Sequence, residues 1–255
     1  MNAPKLLVLV LTAISALPSA AQTSTKDAAL VGAWQEQTDS LYEIKLISPT
    51  HVFFFVKDAI ADTFLHAGAG TYTTTRNQYT ENLKYADFDL KGLKGTYDYS
   101  VAGNKMKQQG MLVLGDGTQY AINHTFTRIE GSKQNPGPHV GTWNQLSSTF
   151  LDDSGAKASH TNATHIRYQI ITPTHWMRLS LDNGKFENAF GGTYTLNGNA
   201  ATIKVDFASY PSMIGATAEL TQRIEGNKMI WKGQVKDAQG KQVNDIEDVF
   251  ERVAQ

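Results

Sequence analysis

The chain has 255 residues, 41% of them hydrophobic, with 23 Lys and Arg against 24 Asp and Glu for a formal net charge of −1. So even a balance gives no long-range field to attract nucleic acid or an anionic membrane, which sets aside the basic-surface class of binder. The lack of cysteine excludes a disulfide framework, thiolate chemistry and a lipid-bearing N-terminal thiol.

Residues 1–21 carry Lys5, an apolar run from Leu6 to Leu11 that extends to Leu17, then Pro18 and the small residues Ser19 and Ala21. This is the pattern of a secretory signal peptide, too short in its apolar part to remain as a membrane anchor. A secreted or periplasmic mature chain beginning near Gln22 is expected, with no membrane insertion after cleavage.

Beyond the leader the chain repeats itself. Gly32-Ala33-Trp34 matches Gly141-Thr142-Trp143, Pro49-Thr50-His51 matches Pro173-Thr174-His175, and Gly70-Thr71-Tyr72 matches Gly192-Thr193-Tyr194. Gly103-Asn104-Lys105-Met106 then matches Gly226-Asn227-Lys228-Met229, and Phe126-Thr127-Arg128 matches Phe250-Glu251-Arg252. The order is constant, and one insertion of about 15 residues around Asp152 to Thr164 accounts for nearly all the drift in spacing, so the chain reads as a tandem duplication. The Gly131–Pro138 stretch has linker composition. Two units are expected, over residues 28–131 and 139–255.

Within each unit, short segments rich in Thr, Val, Ile, Tyr and Phe alternate with turns such as Gly115-Asp116-Gly117, Asp182-Asn183-Gly184 and Asn197-Gly198-Asn199. Strands at that spacing predict an all-β fold, and Asn-Gly and Asp-Gly turns favour hairpins between sequence neighbours, hence an antiparallel up-and-down order.

A Gly-x-Trp on the first strand and an arginine on the last occur in both units, as Gly32/Trp34 with Arg128 and Gly141/Trp143 with Arg252. With the T-P-T-H, G-G-T-Y-T and G-N-K segments, this pattern resembles the lipocalin-like domains of the calycin superfamily found in secreted bacterial proteins. The resemblance implies two tandem eight-stranded barrels in which each arginine packs over its indole in a structural cation–π contact. It does not specify a function, because calycins include carriers of apolar ligands and some enzymes. Each copy departs from the pattern. The first has Ser48 before Pro49, and the second replaces Tyr79-Thr80-Glu81-Asn82-Leu83-Lys84-Tyr85-Ala86 by Ala201-Thr202-Ile203-Lys204-Val205-Asp206-Phe207-Ala208.

Strand alternation separates two faces. The set His175, Met177, Leu179, like its counterpart His51, Phe53, Phe55, is apolar after its histidine, so it is expected to face the barrel interior, with Trp176 and Arg178 outward. The same argument puts Tyr72 and Tyr194 inward, and places Tyr79, Glu81, Leu83 and Tyr85 on the face that Ala201, Ile203, Val205 and Phe207 occupy in the second copy. A carboxylate on such a face needs a partner, and the nearby candidates are His51, Tyr72, Tyr79 and Tyr85.

The expected ligand-binding set is therefore His51, Glu81, Tyr72, Tyr79, Tyr85, His175 and Tyr194, around an aromatic cavity in at least the first barrel. A small, largely apolar or aromatic ligand bearing one or two polar groups is the favoured partner. The alternatives are an isomerase or hydrolase with His51 and Glu81 as an acid–base pair, and a structural or interaction module with filled barrels. No cofactor or metal is implied: His160 and His165 beside Asp152 and Asp153 lack metal-ligand spacing, and no phosphate-loop, dinucleotide or nucleophile-elbow motif is found. His124 is expected to be packed. Asn123-His124-Thr125 and Asn162-Ala163-Thr164 fit the glycosylation sequon, relevant in a eukaryotic host. The sequence leaves the oligomeric state open.

Overall fold

The structure, a computed structural model, describes residues 28–132, 137–151, 155–161 and 165–253. The signal-peptide segment, Asp152, Asp153, the Asn162-Ala163-Thr164 sequon and the side chain of His160 lie outside the described residues.

Eight antiparallel strands close the first barrel in sequence order: β1 (Gly32–Gln37), β2 (Leu41–Ile47), β3 (His51–Asp58), β4 (Phe64–Thr75), β5 (Gln78–Ala86), β6 (Lys94–Ala102), β7 (Lys105–Val113) and β8 (Gln119–Arg128). The pairing of Trp34 with Arg128 joins β1 to β8 and removes both sheet edges. The second barrel comprises β9 (Gly141–Leu151), β10 (Lys157–Thr161), β11 (His165–Ile171), β12 (His175–Asp182), β13 (Lys185–Asn197), β14 (Ala200–Lys204), β15 (Phe207–Ala208), β16 (Thr217–Glu225), β17 (Lys228–Lys236) and β18 (Gln242–Arg252). A short 3-10 turn, Pro211–Met213, lies between β15 and β16. Pairing of β9 with β18 closes this barrel.

The inserted residues lengthen one hairpin. Gly141 to Asn144 of β9 pair with β11, whereas Ser147 to Leu151 pair with β10, so β10 and β11 are successive parts of what is one strand, β2, in the first barrel. Matching turns follow from matching residues: Gly103 and Gly226 both adopt φ +61°, the left-handed conformation that Gly-Asn-Lys turns require.

At one end of each barrel the arginine covers the indole. The Arg128 guanidinium lies 3.9 Å from the Trp34 ring and Arg252 lies 4.1 Å from Trp143. Each arginine also donates to carbonyls of the segment leading into the first strand, Arg128 to Val31 at 2.6 Å and Arg252 to Val140 at 3.0 Å. The indole N–H groups bond to Leu30 and His139 carbonyls.

The two barrels pack directly on each other. Phe53, Phe55, Ala67 and Ala69 of the first share one buried cluster with Ile170, Met177, Leu179, Leu181, Ala189 and Phe207 of the second. The contact is aromatic at three places: Phe55 with Phe207 at 4.8 Å, Phe64 with Phe186 at 5.9 Å, and Tyr85 with Tyr168 at 5.0 Å between ring centroids. Each fully buried phenylalanine contributes about 1.5–3 kcal/mol, so this seam is a substantial part of the core.

The seam corrects the expected facing of β3 and β12. His51, Phe53 and Phe55 point out of their barrel toward its neighbour, as do His175, Met177 and Leu179, whereas Phe54, Trp176 and Arg178 line the interiors. An apolar face normally marks the interior, but here the outer wall is apolar too because it is buried in the contact.

Candidate functional site

The Ser/Thr-Pro-Thr-His segments form the tight connections before β3 and β12. Ser48 Oγ accepts the His51 N–H at 3.0 Å, and Thr172 Oγ1 accepts the His175 N–H at 3.1 Å. The imidazoles share hydrogen bonds with neighbouring hydroxyls, His51 Nδ1 with Thr50 at 2.6 Å and His175 Nδ1 with Thr174 at 2.9 Å. A hydroxyl is what position 48 needs, so serine serves where the second copy has threonine. The motif is a turn-forming device.

His51 therefore lies in a crevice between the barrels with Thr71, Tyr85, Tyr168 and Val253, on the opposite side of the barrel wall from Glu81. The structure does not bring this pair together. Tyr85 also points outward, contrary to the expected alternation beyond Leu83. Ala69 pairs with Tyr85 but Gly70 pairs with Leu83, so Lys84 is an extra residue and a β-bulge flips the face. The second barrel repeats the device between Val205 and Phe207, where β14 gives way to β15, and Phe207 likewise turns outward.

Tyr72, Tyr79 and Glu81 do face the first interior, in a stack with Tyr72 and Tyr79 centroids 5.3 Å apart. Tyr72 Oη donates to the Ser48 carbonyl at 3.0 Å. Glu81 has a partner that strand parity alone does not reveal. Lys45 Nζ donates to Glu81 Oε1 at 3.0 Å and to Gln108 Oε1 at 3.1 Å, lies 3.6 Å from Glu43 Oε1, and sits 4.8 Å from the Phe126 ring. Burial pulls the Lys45 ammonium down, but Glu81 and Glu43 outweigh it and hold its pKa above the usual lysine value. Burial raises Glu43, with Lys45 and His124 opposing. Tyr79 is raised well above the ordinary phenol value by burial and then by the Glu81 charge.

Nearer the rim, His124 pairs with Glu36, whose other oxygen accepts the Thr125 N–H at 2.6 Å. Potential ligand atoms of Glu36, Glu43 and His124 fall within 4.8 Å of one another. Each of the three already has a charged or hydrogen-bonding partner within the protein, Lys45 included, so a cation here would compete with existing contacts. A cavity of about 190 Å³ lies between Glu43, His124 and Phe54, Phe88, Leu93 and Tyr97, and a second of about 300 Å³ adjoins it at the rim, lined by Glu36, Glu43, Val56, Ile122 and His124.

The second interior is built on the same positions with different chemistry. Gln169, opposite Trp143 and Arg178, stands where Lys45 stands opposite Trp34 and Phe54. Arg178 donates from Nη2 to Gln169 Oε1 and Asp248 Oδ2, both at 3.1 Å. Asp248, 2% exposed, takes a second hydrogen bond from Ser148 Oγ at 2.5 Å. Arg167 Nη1 donates to Gln145 Oε1 at 3.1 Å, and its pKa is lowered by burial and then by the like charge of Arg178.

Above this polar floor is a cavity of about 320 Å³ walled by Trp176, Phe190, Ile203, Val205, Trp231 and Ile246, with Met213 and Ala216 from the β15–β16 connection also lining it. Tyr194 faces this interior but is committed to structure: its hydroxyl donates to Gln222 Oε1 at 2.8 Å, as does Trp231 Nε1. His175 stays on the seam, where burial lowers its pKa against the pull of Asp206. His165 faces Asp182 at 3.4 Å on the surface.

The residues that sequence reasoning misses are Lys45, Glu43, Gln108, Arg167, Arg178 and Asp248. A usable signal is present in the alignment of the copies, because Lys45 falls opposite Gln169 and His124 opposite Asp248 in the repeat frame. Polar or charged residues at matched strand positions in both copies flag an interior that needs compensation.

No protein-family model matches the chain, and no curated protein matches it. Among solved structures it is similar to a protein of unknown function from the DUF3598 family of Nostoc punctiforme, at 12% identity and a TM-score of 0.26 over 88% of this chain and 97% of that one. A DNA polymerase sliding clamp from Pseudomonas aeruginosa gives 7% identity and a TM-score of 0.11, covering 89% of this chain and 78% of the other. Likeness at these levels carries no argument about fold or function, and the architecture rests on the strand pairing described above.

Proposed function

We propose that the protein is a secreted or periplasmic binding protein of lipocalin-like, calycin type that holds one small, largely apolar molecule inside its second barrel. The observation that carries this reading is the 320 Å³ cavity, in which two tryptophans, two phenylalanines and aliphatic side chains surround a small set of buried polar groups. That combination of size and lining is the usual one for small-molecule sites. The ligand site thus moves from the aromatic first barrel to the second. The first interior is divided between a cavity of about 190 Å³ beside Lys45 and one of about 300 Å³ at the Glu36/His124 rim, and Lys45 there is engaged by Glu81 and Gln108. The acid–base enzyme reading loses its pair, since His51 and Glu81 occupy opposite faces. The leader-like residues 1–21 motivate the export part of the proposal.

The test is a titration of the mature chain with a neutral apolar fluorophore such as N-phenyl-1-naphthylamine. Emission should rise on binding and the rise should disappear in Ala218→Trp, which fills the second cavity, while circular dichroism stays unchanged. Binding that survives Ala218→Trp but is lost in Leu83→Trp would move the site to the first barrel and overturn the assignment. No binding by the folded wild type would overturn the carrier reading itself.

A further inference from the structure

We infer that the molecule held in the second barrel carries an anionic head group of the carboxylate kind, bound at the floor of the cavity by Arg167, Arg178 and the indole N–H of Trp176; this rests on the carrier reading above. Among the described residues, buried donors without an acceptor cluster on this floor: Trp176 Nε1, Arg178 Nε, Gln145 Nε2 and Gln169 Nε2. Trp176 is 2% exposed, Gln145 2% and Gln169 0%, and Trp176 and Arg178 both line the cavity. A buried donor left unmatched is costly, and the two that line the cavity, Trp176 Nε1 and Arg178 Nε, mark a place prepared for acceptor oxygens.

Charge points the same way. Two guanidiniums, Arg167 on β11 and Arg178 on β12, line the cavity with a single carboxylate, Asp248. Asp248 is saturated by Ser148 and Arg178, while Arg167 is hydrogen-bonded to Gln145 and feels the charges of Asp248 and Glu187 from beyond salt-bridge distance. Glu187 and Asn188, on the β13 bulge, each leave a buried oxygen unmatched, but neither lines the cavity. A carboxylate supplies two acceptor oxygens with the geometry that guanidinium and indole donors match. Its apolar remainder would then lie along Phe190, Ile203, Val205 and Trp231. The first barrel contrasts in charge rather than in unmatched donors: there the equivalent floor is a lysine held by Glu81 and Gln108, with two further carboxylates, Glu43 and Glu36, near it, and Gln108 Nε2 is itself unmatched.

Isothermal titration of the mature chain with decanoate, 1-decanol and decylamine at pH 7.5 tests this. Decanoate should bind at least about ten-fold more tightly than decanol, which corresponds to a contribution of about 1.4 kcal/mol, and decylamine most weakly. Arg167→Met, chosen because it breaks no ion pair, should reduce decanoate affinity about ten-fold and leave decanol unchanged. Trp176→Phe should lower decanoate affinity several-fold, again with little effect on decanol. Equal affinity for acid and alcohol in the wild type, or an Arg167→Met loss shared by both, overturns the head-group assignment while leaving the carrier reading intact. If none of the three probes binds and the neutral fluorophore also fails, both fall together.

Discussion

Phe55 of the first barrel and Phe207 of the second meet with ring centroids 4.8 Å apart, each 4% exposed or less. Both rings point away from the interior of their own barrel, so together they make the seam a second core rather than a surface contact. Phe207→Ala should cost about 3–5 kcal/mol, as for other large core truncations. Phe55→Ala should cost a similar amount, and the double variant should show a coupling of about 0.5–1.5 kcal/mol. Urea unfolding followed by circular dichroism measures all three. Strict additivity would mean that the rings do not act as a pair.

That seam is also why part of the site is hidden from the sequence. The duplication, the hairpin order and the Trp34/Arg128 and Trp143/Arg252 pairs are legible because each depends on local patterning and matched positions. The facing of β3 is not, since Phe53, Phe54 and Phe55 are all apolar and alternation has no contrast to work with. The rule that charge faces water sends Trp176 and Arg178 outward, and it fails when the interior supplies Asp248 and the exterior is another barrel. Tyr85 and Phe207 defeat the alternation for a different reason: one extra residue in a bulge reverses every later side chain, and no residue type on the bulged strand itself announces it.

Asp248 and Arg178 provide a test of how the second interior is held. Removing the acid alone, in Asp248→Ala, leaves a guanidinium in the barrel without its counter-ion and should destabilise the fold by about 3–5 kcal/mol. Replacing both groups, as Arg178→Met with Asp248→Leu, should recover most of that loss, because the desolvation of the pair disappears with the pair. Chemical denaturation of the three chains decides the matter. If the double variant is as damaged as the single one, packing rather than charge compensation is the role of these positions.

The bulges on β5 and after β14 depend on glycine in the facing strand. A Cβ at Gly70 would stand 2.2 Å from the Asn82 carbonyl oxygen, and one at Gly192 would stand 2.2 Å from that of Lys204. Backbone cannot yield as a side-chain tip can, so Gly192→Ala should destabilise by roughly 1–3 kcal/mol despite adding one methyl group. Ala189→Gly on the same strand, where no such approach occurs, controls for the general effect of glycine exchange. A Gly192→Ala chain with an unchanged urea midpoint would show that the bulge relaxes without cost.

His175 makes the stability of the seam depend on pH in a defined direction. Its folded pKa lies below the ordinary 6.5 because burial disfavours the imidazolium, with the Asp206 charge only partly offsetting this. Below pH 6.5 the unfolded chain therefore takes up a proton that the folded chain refuses, and unfolding gains by linkage. The contribution is fully present above 6.5 and is lost as pH falls through the lower folded value. His139, lowered by burial and by Arg252, acts with the same sign. Glu43, raised by burial, has the opposite one: its contribution is present below about 4.5 and is lost as pH rises through its folded value. Comparing wild type with His175→Gln cancels every group but one. Between pH 7.5 and 5.5 the wild type should lose more stability than the variant, by on the order of 1 kcal/mol or less, because solvent reaches part of the ring and screens it. Parallel urea midpoints for the two chains across that range would show that the imidazole is protonated as readily in the fold as outside it.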